Sequence, residues 1–475
     1  MVEVLPSVQD GSTLDLDSAR TGPYRMYRRR WFGVFAMFIL EAVASMSWPW
    51  FGPISNNVVD EFGFTLTQVN WLGNIIACMY LPVTVFTPMI CSRYGIRVCC
   101  YIACGGLLVS AWVRYAGTAH SLPMNGAYAL LIIGQALSAI STPVFQVLAP
   151  KYSEVWFDLK GRTTATMIIS IANPIGGALG QLLSPSVGDT RQSILVLAII
   201  CTAVIPVVFM IFEAPPVPPT FAGSRPSPSI LSLLNAMLGR PCPEEAYMTI
   251  RERLDFVILV TCFSVFLAAI NTFSVLSAEW MAPVGYSDDI TGIMGAALLI
   301  AGIVAAIATA PLFDRVLTHH LSITLRILCP LIGASWLSLI WAVRPNDTGG
   351  IFAVLIVIGA ASISLLPVAL ELGCELTRNA DGSAAILWFF GNLFCVIFVL
   401  AQDSLRAPST ANPPLNMRKA IIFNGVFALA TSGLIFFING HQARRVKDEE
   451  VHRAQAEDGA EVGIAMTSAG SEEAK

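Results

Sequence analysis

An acidic side chain stands where acid is costly. Glu41 lies about ten residues into an apolar stretch that begins at Trp31. A carboxylate at such depth in a membrane costs several kcal/mol unless water, a proton or a partner relieves it. Trp48 follows seven residues later, two helical turns on and therefore on the same face. The two side chains would project about 10 Å apart along the axis. An indole face attracts cations, most strongly where water is excluded. A carboxylate and an indole on one face therefore suit a cationic or strongly dipolar group. Glu41 also fits a proton carrier or a protonated, hydrogen-bonded structural acid. A tryptophan here also fits an interfacial belt, a role that suits Trp50, nearer the helix end, better than Trp48.

Other chemistries lack their residues. The five histidines (His120, His319, His320, His441 and His452) fall in loops or tails, so neither a Ser–His–Asp arrangement nor a metal site forms and no enzyme is expected. The eleven cysteines contain no CxxC pair; Cys78, Cys99, Cys100, Cys104, Cys201, Cys262 and Cys395 sit inside apolar runs and read as packing residues. No GxxxxGK[ST] is present, which argues against an ATP-driven pump. No metal or cofactor is expected. A net charge of −4 without a basic stripe gives no footprint for nucleic acid.

The elements that must hold Glu41 and Trp48 follow from composition. Hydrophobic residues make up 55% of the chain and charged ones 13%, about half the charged share of a soluble domain. Most of the surface must meet lipid. A helix crosses the hydrocarbon core in about 20 apolar residues, and the chain offers twelve such stretches: 31–52, 70–91, 98–115, 126–149, 163–184, 193–212, 254–278, 291–310, 322–343, 350–372, 382–402 and 420–439. They are too long and too uniformly apolar for barrel strands. The segment 213–253, with APPVPPTFAGSRPSPS, reads as a Pro-rich linker. The expected fold is an all-α membrane protein of twelve transmembrane helices in two six-helix halves, 31–212 and 254–439, with tails 1–30 and 440–475. With both termini cytoplasmic, 22 of the 28 lysines and arginines lie inside, as the positive-inside rule demands. Plasma membrane and vacuolar or lysosomal membrane both fit.

Three loops carry a family resemblance. Cys91-Ser92-Arg93-Tyr94-Gly95-Ile96-Arg97, after the second span, resembles the major facilitator loop signature, with Ser92 in place of the acid. Pro311-Leu312-Phe313-Asp314-Arg315, after the eighth, looks like the second copy with its acid kept, as two parallel six-helix repeats require. Trp156-Phe157 with Gly161-Arg162 is similar to the family's four–five loop. Ser47-Trp48-Pro49-Trp50-Phe51-Gly52-Pro53 and Glu371-Leu372-Gly373-Cys374-Glu375-Leu376-Thr377 more narrowly resemble the feline leukaemia virus subgroup C receptor-related transporters, a group associated with choline, haem and vitamin-like metabolites.

The resemblance implies the major facilitator fold and secondary-active transport of a small organic solute by alternating access, with haem or amphiphile export, or a transport-inactive receptor or sensor, as alternatives. It places Trp48 on the aromatic residue that contacts choline. Asn173 keeps one amide of that ligand set, Pro174 replaces a glutamine, Phe273 falls near a cage tyrosine and Asn392 near a second ligand glutamine. Arg93, Arg97, Arg162, Asp314, Arg315 and Glu371 are expected at the inner gate, with Glu371 and Glu375 in reach of Arg378. A monomer in a lipid bilayer, with a small-molecule substrate and protons as candidate coupling ion, completes the expectation.

Overall fold

The computed structural model of the chain describes residues 25–51, 54–158, 160–187, 189–220, 223, 229–243, 247–286, 288–312, 321–408, 410–414 and 416–440. Helices account for nearly all of its regular structure: α1 Arg30–Met46, α2 Ser55–Phe62, α3 Leu66–Ala116, α4 Met124–Ser138, α5 Ser141–Trp156, α6 Arg162–Ser170, α7 Ala172–Ser186, α8 Thr190–Val204, α9 Ile230–Met237, α10 Ile250–Met281, α11 Asp288–Leu312, α12 Leu321–Ala342, α13 Thr348–Thr377, α14 Ala380–Ser404 and α15 Arg418–Leu434. Each of the twelve apolar stretches falls on one or two of them. No strand occurs among the described residues.

The breaks have local causes. Proline removes an N–H and collides with the carbonyl four residues back. The interruption between α4 and α5 lies at Ala139–Ile140, just before Pro143, and that between α6 and α7 at Ile171, just before Pro174. α3 turns at Gly95, whose φ of 85° suits glycine. The Glu213 carboxylate then accepts the N–H groups of Ile96 (2.8 Å) and Arg97 (2.9 Å), capping the limb that starts there.

Among the described residues, nine helices are long and apolar enough to cross a membrane. One of them, Trp71–Ala116, has 46 residues, about twice what one crossing needs. Ile293–Thr309 is a shorter apolar helix, and α1 has 17 residues. Phe35, Phe86, Ile300, Val304, Trp341, Leu400 and Phe436 are exposed, a distribution that suits lipid and not water. The chain is an integral, multi-pass membrane protein. In the segment read as linker, α9 forms behind a Ser229 cap that accepts from Ser232 N–H; its composition masked an eight-residue helix.

Buried apolar residues gather in two clusters. One is drawn from 34–211. The other, mostly from 230–438, also takes in Tyr80, Val147, Met167 and Ile171. These four mark where the first cluster's helices meet the second's, with α14 packed on α3 and α5 and α13 on α6.

Candidate functional site

α7 lies directly on α1 because two glycines leave room for it. A Cβ on Gly176 would stand 1.9 Å from the Ala42 carbonyl oxygen, and one on Gly180 2.6 Å from that of Met46. This backbone contact brings Asn173, three residues before Gly176, to Glu41. The carboxyl is 0% exposed. Its Oε1 accepts from Asn173 Nδ2 at 3.2 Å and from Ser45 Oγ at 3.3 Å. Asn173 Nδ2 also donates to Ser45 Oγ at 2.8 Å, closing a three-member cluster. Oε2 is sealed from solvent without a hydrogen bond of its own, and Gln146 approaches the carboxyl from α5.

The polar chain continues sideways. The Tyr80 hydroxyl donates to Gln146 Oε1. Against the Tyr80 ring lies Trp388 of α14, centroids 6.4 Å apart, and Phe263 of α10 meets Trp388 edge-on at 5.4 Å. The Trp388 indole N–H is buried without an acceptor. Four helices (α1, α3, α5 and α7) and two later ones (α10 and α14) thus converge on one layer holding a carboxyl, two amides, two hydroxyls and an aromatic wall. Such a layer can strip and replace the hydration shell of a small polar group.

Of the residues singled out from sequence, Glu41 and Asn173 are brought into contact. Trp48 is half-buried in the turn beyond α1, on the far side of Ser45 from Glu41. Trp50 is no belt residue: it is fully buried, donating to Ser193 Oγ at 3.2 Å. Phe273 packs against Trp280 (5.5 Å) and Trp336 (6.0 Å), within the second cluster. Asn392 is half-buried and donates to the Trp388 carbonyl one turn back (2.9 Å), so it belongs to the segment that carries the aromatic wall. Sequence reading missed Tyr80, Gln146 and Trp388. Gln146, an amide inside an apolar span, and Trp388, four residues before Asn392, offered a signal; Tyr80 offered none.

At the end of the bundle where the linker lies, Arg93 is exposed over Tyr94 (5.4 Å) and Arg97 is exposed, donating to Tyr101 Oη at 2.6 Å. Both arginines find partners in their own segment. Asp314 and Arg315 lie outside the described residues. Arg162 is buried and donates to Thr220 Oγ1. Glu371 and Glu375 are buried, but Arg378 pairs elsewhere, with Glu252 Oε1 (2.6 Å) and the Tyr247 carbonyl (2.9 Å). The reason is conformational: Arg378 caps α13 at φ 55°, in the left-handed region, which turns its side chain off the helix axis. Lys151, not singled out from sequence, is buried between helices, with Glu154 at 3.2 Å and the Asp381 charge of α14 bearing on the same ammonium. Among the described residues, no group of three or more His, Cys, Asp or Glu could hold a metal.

A sequence profile described as Major Facilitator Superfamily matches residues 31–401. Solute carrier family 49 member A3 of Danio rerio is 25% identical over 473 residues, covering 94% of this chain and 95% of its own. The choline/ethanolamine transporter FLVCR2 of Homo sapiens is 23% identical, covering 90% and 80% respectively. Among solved structures, the E. coli fucose:proton symporter FucP superposes with a TM-score of 0.62 at 11% identity, covering 86% of this chain and 98% of that one. This last likeness is one of fold.

Proposed function

The chain belongs to the major facilitator superfamily and is a transporter, and from that premise we propose that it carries a small organic cation or strongly dipolar metabolite by alternating access. The observation that carries this reading is the buried Glu41 carboxyl, held by Asn173 and Ser45 with one oxygen left over. A bound cation or proton would offset the cost of that burial. Tyr80 and Trp388 supply ring faces in the same layer, of the kind that attract ammonium groups, and Trp48 adds a third ring two turns further along from Glu41. Relatives named as choline/ethanolamine transporters support a cationic substrate.

In this reading the chain crosses twelve times as two six-helix halves, works as a monomer, and keeps both termini and the linker end in the cytoplasm. The buried charges Lys151, Glu154, Arg162, Glu371 and Asp381 then form the inner gate, closed in this conformation. The basic loop residues Arg93 and Arg97 flank it.

The test is a thermal-shift panel on purified protein with choline, ethanolamine, haem, pyridoxine and amino acids, followed by uptake into liposomes. Ligand that binds only the folded state raises its stability by mass action. A stabilising cation whose effect disappears in Glu41→Gln, with saturable uptake, is expected. A stabilising neutral ligand indifferent to Glu41→Gln would overturn the cation reading. Binding without uptake would make the protein a receptor.

A further inference from the structure

One cation in the first six spans lacks an acidic partner among its resolved contacts. Arg114, near the end of α3, is 1% exposed. Its Nη1 donates to Gln135 Oε1 of α4 at 2.7 Å, while Nε and Nη2 make no hydrogen bond. The Cys201 thiol of α8 lies beside it. α4 presses on the arginine closely enough that a Cβ on Gly134 would stand 2.3 Å from Arg114 Cγ, so the side chain is confined to one path.

Gln135 is 0% exposed and fully committed. With its oxygen on the guanidinium, its Nε2 donates to the carbonyls of Ser47 and Leu72, each at 3.1 Å. Flipping the amide would set its NH₂ against the guanidinium and its oxygen against two carbonyls, so Arg114 fixes which way the amide faces. Ser47 is the C-cap of α1, where carbonyls have no partner within the helix and the helix dipole is negative. Trp48 follows, and Pro49 after it steers Trp48 away from helical geometry. The turn carrying Trp48 therefore leaves α1 at a carbonyl held from across the bundle.

We propose that Arg114 and Gln135 are positioning residues for Trp48: the guanidinium orients the amide, and the amide anchors the Ser47 carbonyl from which the indole is hung. The inference rests on Trp48 being part of the substrate site. A purely structural role would destabilise the bundle without moving this ring in the folded protein.

The test is fluorine NMR of full-length protein labelled with 5-fluorotryptophan in nanodiscs, the Trp48 resonance being assigned with Trp48→Phe. Gln135→Leu and the gentler Gln135→Glu, which keeps an acceptor for Arg114 but loses both donors, should shift or broaden that resonance. The Trp341 resonance, from the far half, should stay in place. A Trp48 resonance unmoved in folded Gln135→Glu overturns the proposal. Choline binding read alongside separates the two layers of the argument. Trp48→Ala and Gln135→Leu should each weaken affinity about 2- to 30-fold, and the double variant no more than Trp48→Ala alone. Additive losses overturn the positioning role. No loss in Trp48→Ala with the NMR shift present removes Trp48 from the site and leaves the anchoring intact.

Discussion

Glu41 is read from sequence alone because an acid in an apolar helix is rare and costly, whereas its partners are ordinary residues made significant by packing. Asn173 and Ser45 surround one oxygen of the carboxyl and leave the other bare. Glu41→Gln keeps the shape but removes the charge. It should weaken cation binding while sparing the fold, measured as ligand-induced thermal shift beside the unliganded melting temperature. If Glu41 carries a proton instead, the same variant will bind and exchange normally and lose accumulation driven by a pH gradient. Phe273 gives the contrasting case. Its ring is locked between Trp280 and Trp336, so Phe273→Leu should lower stability by about 1–2 kcal/mol and leave affinity unchanged. An affinity loss in Phe273→Leu at unchanged stability would return this ring to the site. The resemblance located the residue but not its direction, since one position along a helix turns a side chain by about 100°.

The helices themselves were legible, because lipid enforces long apolar runs and internal backbone pairing. All twelve stretches lie on helices, and prolines mark two of the breaks. Backbone proximity was only half legible. Gly176, Gly177 and Gly180 all have the small size that helix contacts favour, but only the outer two touch α1; a Cβ on Gly177 meets nothing within 4 Å. Gly176→Ala should therefore force α7 away from α1, pull Asn173 off Glu41 and cost both folded yield and binding. Gly177→Ala should match wild type in both, as read by size-exclusion profile and ligand-induced thermal shift. Equal damage from the two variants would mean that helix propensity, not the α1–α7 contact, governs this stretch. α9 escaped the sequence reading because its Pro-rich surroundings outweighed eight helix-forming residues.

Residues 34–211 and 230–438 meet through unlike materials, and in the proposed cycle that contrast bears on how the whole molecule would move. One contact is aromatic, Tyr80 against Trp388; at the linker end, where α14 packs on α5, the buried Lys151–Glu154 pair brings charge to the interface. An apolar ring contact can slide at little cost, but a buried charge stripped of its partner is strongly destabilising. In the proposed alternating-access cycle, opening the linker end is the step with the higher threshold, and the ion cluster is its lock. Sequence reading placed the gate on Arg93, Arg97, Arg162, Asp314, Arg315 and Glu371, because a charge in a loop and a charge at a helix end look alike in one dimension. The burial of Lys151 is created by α14 packing on α5 and cannot be read from the neighbours of Lys151 in sequence. Cys91 offers a native reporter, being buried in α3 just before its turn at Gly95, on the helix that α14 packs against. In proteoliposomes, Asp381→Asn should speed alkylation of Cys91 by a maleimide, followed by peptide mass spectrometry, by roughly the tenfold that 1.4 kcal/mol of lost closure corresponds to. Arg97→Gln, which removes only a bond to Tyr101, should leave that rate near wild type. Faster labelling in Arg97→Gln than in Asp381→Asn would move the lock from the buried cluster back to the loop.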